Sequence, residues 1–227
     1  MDTATPAEGP AQPHPPLAVA CLAEAVGTFA LVFIGCGAIM VERGTGALGH
    51  GGVSACFGLV VGSMVFATGH VSGAHFNPAV TIAFASLGRA GGRLAAAYIA
   101  TQIIAATAAA LLLVGILGPV ADAGATIPAG SVAASFAVEV VLTFFLMFVI
   151  TAVATDERAP PGHAAVAIGA AVAMGALVGG PVSGASMNPA RSIGPALASG
   201  QLSELWLYLI APTIGAVLGA QTYRRLQ

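Results

Sequence analysis

Charge is what this 227-residue chain most lacks: Asp, Glu, Lys and Arg together make up 7% of it, where a soluble domain carries about 25%. So few ionic groups cannot coat a water-facing surface, which excludes an ordinary soluble enzyme. Lysine is absent, leaving seven arginines as the only fixed cations. A net charge of −2 and a pI near 6.2 give no basic footprint for a nucleic-acid partner. Cysteine is scarce too. Cys21, Cys36 and Cys56 sit inside apolar runs and read as small buried hydrophobes, not as a disulfide framework or metal cluster. No nucleophile–base pair, phosphate loop or metal-ligand spacing stands out, so no catalytic residue, cofactor or metal is expected.

Apolar residues fill the space left by charge, at 57% of the chain, with a mean hydropathy of +0.93. Thirty glycines fit helices that pack closely in a bilayer. A hydrocarbon core about 30 Å thick takes about 20 apolar helical residues per crossing. Six stretches qualify, roughly 18–41, 53–70, 94–117, 133–155, 163–180 and 205–223. The chain therefore reads as an all-α integral membrane protein. Residues 1–17 are Pro-rich, lack Lys and Arg, and are expected to form a disordered cytoplasmic tail, with 18–227 as the membrane domain. That tail has no basic region of the kind that opens a signal peptide, so the first span should be retained. With the N-terminus inside, Arg89, Arg93, Arg158, Arg224 and Arg225 fall on the cytoplasmic side and only Arg43 and Arg191 outside. Positive charge concentrates on cytoplasmic loops, so both termini are expected there.

Two segments fit neither a span nor a loop. Residues 72–86 read SGAHFNPAVTIAFAS and residues 183–197 read SGASMNPARSIGPAL. Each is apolar but too short to cross. Aligning Asn77 with Asn188 gives an offset of 111, at which Ile99, Ala100 and Ile103 also match Ile210, Ala211 and Ile214. At an offset of 115, Glu24, Thr28 and Phe33 match Glu139, Thr143 and Phe148. The chain reads as an internal duplication, about 18–117 and 131–225, joined by the polar stretch 155–162. Three crossings per copy invert the second relative to the first. Inverted repeats with paired interrupted segments point to a transport pathway at their interface.

In each short segment Asn precedes Pro, a favoured N-cap before a favoured first helical residue. Two half-helices should therefore begin at Asn77-Pro78-Ala79 and Asn188-Pro189-Ala190 and meet at the bilayer midplane. Irregular backbone at that depth must be buried or line a cavity. The stretches 72–76 and 183–187 should thus expose carbonyls to a pore, those of Gly73, Ala74, His75, Gly184 and Ser186 in particular. Two positive helix ends would repel cations there, while the Asn amides donate to a neutral solute. Arg191 stands where the first repeat has Val80; an intramembrane cation is a functional candidate, donating to the permeant and adding a second barrier. Glu24 and Glu139 are expected to hold the re-entrant loops by accepting from their amides. His70 and His75 read as hydrogen-bonded structural residues.

GHVSGAHFNPAV at 69–80 and SGASMNPARS at 183–192 closely resemble the signatures of the aquaporin, or major intrinsic protein, family, and the likeness runs from residue 18 onward. The wording of both motifs is most similar to the nodulin-like intrinsic proteins of plants and their bacterial relatives. The resemblance implies six membrane helices with two re-entrant half-helices, assembled as a homotetramer in the cell membrane. It implies a channel for water and small neutral solutes, leaning to glycerol and to arsenite, boric acid and silicic acid. It also implies a four-residue selectivity filter, which counting from the motifs puts at Phe57, Ala176, Ala185 and Arg191. A slip of one residue would bring Gly175 or Leu177 to the place of Ala176. Two alanines leave room for larger solutes, whereas Phe57 is typical of water channels, so a mainly water-selective pore is the alternative. A coupled secondary transporter is the further rival; it needs a site group that can change charge, and Arg191 cannot.

Overall fold

The computed structural model describes residues 15–160 and 162–227. Of the tail 1–17 expected to be disordered, residues 1–14 lie outside the described residues, Pro15 and Pro16 precede the first helix, and Leu17 already belongs to α1. Six long helices cross: α1 (Leu17–Thr45), α2 (Gly49–Ser72), α4 (Gly92–Leu117), α5 (Val132–Thr155), α6 (Ala164–Ser183) and α8 (Leu205–Arg224). Two short ones, α3 (Pro78–Ser86) and α7 (Pro189–Ser199), fill the places of the half-helices. A 3-10 turn, Ala121–Gly124, interrupts the connection between α4 and α5. No strand occurs among the described residues. All six long helices are apolar enough to span a bilayer, so the chain is a multi-pass membrane protein.

Several helices run longer than hydropathy alone implies, and their ends have local causes. Alpha-1 continues to Thr45, where Gly46 takes a left-handed conformation with its N–H on the Glu42 carbonyl. Alpha-2 starts four residues earlier than expected, through the glycine-rich 49–52. There a Glu42 Oε2 accepts from the amides of Leu48 and Gly49 at 2.7 Å each, supplying the partner that a helix start otherwise lacks. Alpha-6 runs past Pro181 to Ser183. Proline removes the donor to the carbonyl four residues back. That carbonyl is Leu177 O, and His50 Nε2 donates to it from α2 at 2.7 Å.

Helices approach through small residues. A Cβ on Gly58 of α2 would lie 2.5 Å from the Gly169 carbonyl of α6, and one on Gly169 2.7 Å from the Gly58 carbonyl. Gly215 and Gly219 of α8 press equally close to the backbone of α5 at Val140 and Phe144. In hydrocarbon no hydrophobic force draws helices together, so such close backbone packing must do it. Large apolar side chains face outward instead: Leu59, Ile104 and Val166 are exposed.

Six crossings return the chain to the face from which it started. On that face a clasp ties the α5–α6 connection to the end of α8. Asp156 accepts from Arg158 Nε at 2.8 Å and Nη2 at 2.6 Å, and from the Tyr223 hydroxyl at 2.9 Å. The Arg158 side chain bonded to it holds the Asp156 carboxyl well below the usual carboxylate range.

Candidate functional site

The irregular segments before α3 and α7 have the same backbone. Gly73 and Gly184 both terminate a long helix at φ 83°, and both are followed by an alanine in the left-handed region, Ala74 at 50° and Ala185 at 45°. Phe76 and Met187 repeat the left-handed turn at 50° and 52°. A side chain at such a φ is strained and must be held by its surroundings. The buried carboxylates do this. Glu24 accepts from the amides of His75 at 2.9 Å and Phe76 at 2.6 Å, from Ser72 Oγ at 2.7 Å and from Gln102 Nε2 at 2.8 Å. Glu139 accepts from the amides of Ser186 and Met187 at 2.8 Å each and from Ser183 Oγ at 2.7 Å. The Tyr98 hydroxyl donates to Ser72 O at 2.8 Å, and that of Tyr208 to Ser183 O at 2.6 Å. These tyrosines are 110 positions apart, so α4 and α8 drift one residue from the 111 offset that their sequences suggest.

Asn77 and Asn188 cap the half-helices and join them. Each Oδ1 accepts from the first turn of its own helix, from Ala79 N at 2.9 Å and from Ala190 N at 3.0 Å. Each Nδ2 donates across to the opposite loop, Asn77 to Met187 O at 2.7 Å and Asn188 to Phe76 O at 2.8 Å. An amide has two N–H donors, so one on each Asn remains for another acceptor. The cross-bonds also narrow the expected row of carbonyls. Those of Ser72, Phe76, Ser183 and Met187 are taken by Tyr98, Asn188, Tyr208 and Asn77. Gly73, Ala74, His75 and Ser186 line the cavity on the termini face, and Gly184 lines the opposite one.

Two cavities enter from opposite faces. The first, about 540 Å³, opens on the termini face and reaches both capping asparagines; the second, about 610 Å³, opens opposite. Among the described residues they have four lining residues in common: Phe57, Ala176, Ala185 and Arg191. All four are nearly buried. The neighbours of Ala176 point elsewhere, Gly175 onto Met187 and Leu177 outward. Arg191 is 2% exposed and does not reach out to the surface. Its Nη1 donates to Gly124 O at 2.8 Å, its guanidinium carbon lies 5.0 Å from the Phe57 ring centre, and its Nε has no partner among the described residues. A buried donor left without a partner is rare. Gly124 is offered by a turn in which Ala121, Asp122 and Ala123 all adopt left-handed angles.

The model of the family described as "Major intrinsic protein" matches residues 13–223. The chain belongs to the major intrinsic protein family. It is 51% identical to "Aquaporin NIP1-4" of Oryza sativa subsp. japonica, over 89% of this chain and 74% of that protein. It is 47% identical to "Aquaporin NIP1-1" of Zea mays, over 91% and 74%. Among solved structures it is similar to the aquaglyceroporin from Plasmodium falciparum, with a TM-score of 0.82 at 25% identity, covering 93% of this chain and 97% of that one. The fold is that of this channel family: six crossings, two re-entrant half-helices and an inverted internal repeat.

Both histidines flanking the first motif line the termini-side cavity. His75 Nδ1 lies 3.0 Å from Thr81 Oγ1, and its ring stacks on Phe84 and meets Tyr98 edge-on. Residues that sequence reasoning passed over are Gly124, His50, Gln102 and the two tyrosines. Gly124 carried no signal, being one of three glycines between α4 and α5. The need for a donor at the Leu177 carbonyl was legible from the proline at 181, but not that His50 supplies it.

Proposed function

We propose that this chain is a passive channel for water and small uncharged polar solutes, one pore per subunit. The observation that carries the reading is the pair of opposed cavities whose common lining is a ring of four residues, one of them in the first turn of an asparagine-capped half-helix. A neutral solute moving through this path meets the free N–H of Asn77 and Asn188, the carbonyls of the irregular segments, and the unpaired Nε of Arg191. A cation meets two positive helix ends and a guanidinium instead, and has no carboxylate in the ring to offset its desolvation. A water held by both asparagine donors cannot relay a proton at that point. Phe57, Ala176, Ala185 and Arg191 act as the selectivity filter, and Glu24 and Glu139 as the supports of the loops.

Two alanines in the ring favour solutes larger than water, and the likeness to the NIP aquaporins supports glycerol and the metalloid hydroxides arsenite, boric acid and silicic acid. Phe57 favours the second reading, a mainly water-selective pore. We place both termini in the cytoplasm on the arginine distribution, and the subunits in a homotetramer in the cell membrane. The exposed apolar faces of the helices leave room for that assembly. Proteoliposomes challenged with water, glycerol and urea gradients and with tracer arsenite and silicic acid separate the readings. The flux of accepted solutes should not saturate and should ignore proton or sodium gradients. Uphill accumulation of any solute under a proton gradient contradicts the channel and supports a coupled transporter.

A further inference from the structure

The four-residue ring contains one large apolar side chain, Phe57, and it rests where α1 has no side chain at all. A Cβ on Gly35 would lie 2.5 Å from Phe57 Cδ1 and 2.7 Å from Cζ, and closer still to Cε1. Ordinary contact begins near 3.4 Å. Gly35 lines neither cavity, whereas Phe57 lines both, so the phenyl ring stands between the α1 backbone and the lumen. Across from it sits the guanidinium of Arg191, 5.0 Å from the ring centre.

The inverted repeat supplies an internal control. At the 115 offset Gly35 corresponds to Ile150 of α5, and at the 111 offset Phe57 corresponds to Ile168 of α6. Where the second helix carries a ring, the first carries no side chain; where the second carries an isoleucine, so does the first. Ile150 and Ile168 both line the termini-side cavity and are both nearly buried. At the ring between the cavities, volume has been moved from one helix to its neighbour.

We propose that Gly35 is a specificity-determining, positioning residue: its bare backbone is the notch that lets Phe57 lie back on α1 and so sets the width of the filter. The inference rests on reading the four-residue ring as that filter. A methyl group at position 35 must displace either the phenyl ring or the helix backbone. The ring is the end of a side chain with two rotatable bonds, while Gly35 lies inside a 29-residue helix packed along its length. The ring therefore gives way, toward Arg191 and the lumen. Alanine is also the better helix former, so Gly35→Ala keeps α1 intact. A narrower ring hinders a three-carbon polyol more than it hinders water.

The test is a double-mutant cycle in proteoliposomes, with Gly35→Ala, Phe57→Ala and the pair, reading glycerol and water permeability. Gly35→Ala should lower glycerol permeability about 10-fold and water permeability far less, and in the Phe57→Ala background it should change neither. Unchanged permeability in Gly35→Ala, or an equal loss in both backgrounds, overturns the proposal. If the parent protein passes water but no glycerol, the solute preference proposed above fails, and the same cycle read in water still decides the role of Gly35. If the parent conducts neither, the channel reading fails, and an experimental structure of Gly35→Ala decides instead. A phenyl ring displaced toward Arg191 supports the notch; a ring left in place with α1 shifted away contradicts it.

Discussion

Moving each residue of the four-residue ring by the 111-residue repeat leads from Phe57, Ala176, Ala185 and Arg191 to Ile168, Val65, Ala74 and Val80. All four of these counterparts line the termini-side cavity. One ring has an aromatic face and a guanidinium with an unpaired donor; the other is aliphatic throughout. The backbone beneath them does not differ: the same glycine ends the long helix, the same alanine follows it in a left-handed conformation, and a buried carboxylate holds the two amides beyond. The comparison separates two jobs. On the proposed reading, elements common to both repeats build the path, and the side chains that break the symmetry choose what passes.

The largest effect should come from breaking what the two halves share. Glu24→Ala leaves the amides of His75 and Phe76 without their acceptor, and Glu139→Ala does the same to those of Ser186 and Met187. Each buried donor left unpaired costs about 1–3 kcal/mol, so both variants should lose several kcal/mol or fail to assemble. Thermal unfolding of detergent-purified protein measures this. If only one of the two variants were destabilised, the supports would not be equivalent.

Those supports illustrate what the sequence could and could not reveal. Glu24 and Glu139 were legible because a carboxylate inside an apolar span has to be paired, and two at matching places imply matching partners. The half-helix starts were legible because Asn-Pro is a capped helix beginning. The long reach of α2 and α6 was not, because it depends on Glu42 and His50 supplying bonds from other helices. Nor was the cross-bonding of Asn77 to Met187 and Asn188 to Phe76, which exists only once the two halves meet. Gly124 was silent because it contributes a carbonyl, a group that every residue carries.

Charge exclusion comes next in size. Arg191→Val copies Val80 into the ring and removes one of two barriers, so it should keep water permeation and leak protons slightly at most. Adding Asn188→Asp sets a carboxylate against the helix end that supplies the other barrier, and should cause a larger leak. Proton current in liposomes carrying each single and double variant reads this. Equal currents in Arg191→Val and the double variant would show that the helix ends contribute little.

A smaller and more selective change is expected when the ring is narrowed. Ala176→His with Ala185→Thr should lower glycerol and metalloid flux about 10-fold more than water flux, read by light scattering and tracer uptake. An equal fall in all fluxes, with assembly intact, would place these two side chains away from the path.

The smallest effect concerns the termini-face clasp. A carboxyl held below its ordinary range in the folded chain stabilises it above that range, and the contribution is lost as pH falls through the folded value. An unperturbed Asp titrates at about 4, so the clasp should be indifferent to pH across the neutral range and weaken only in stronger acid. Unfolding temperatures of the parent and Asp156→Asn should differ by a constant amount near neutrality and converge as the pH falls below that range. Convergence already near neutral pH would contradict the pairing with Arg158.

The division of labour between the two rings is tested most directly by the ratio of glycerol to water permeability in Arg191→Val and in Val80→Ala, measured by stopped-flow light scattering on the same proteoliposome preparation. The account predicts that Arg191→Val changes this ratio strongly, because it removes the polar side chain of the discriminating ring, and that Val80→Ala leaves it near the parent value. A ratio altered as much by Val80→Ala as by Arg191→Val would mean that the aliphatic ring selects as well, and would contradict the account.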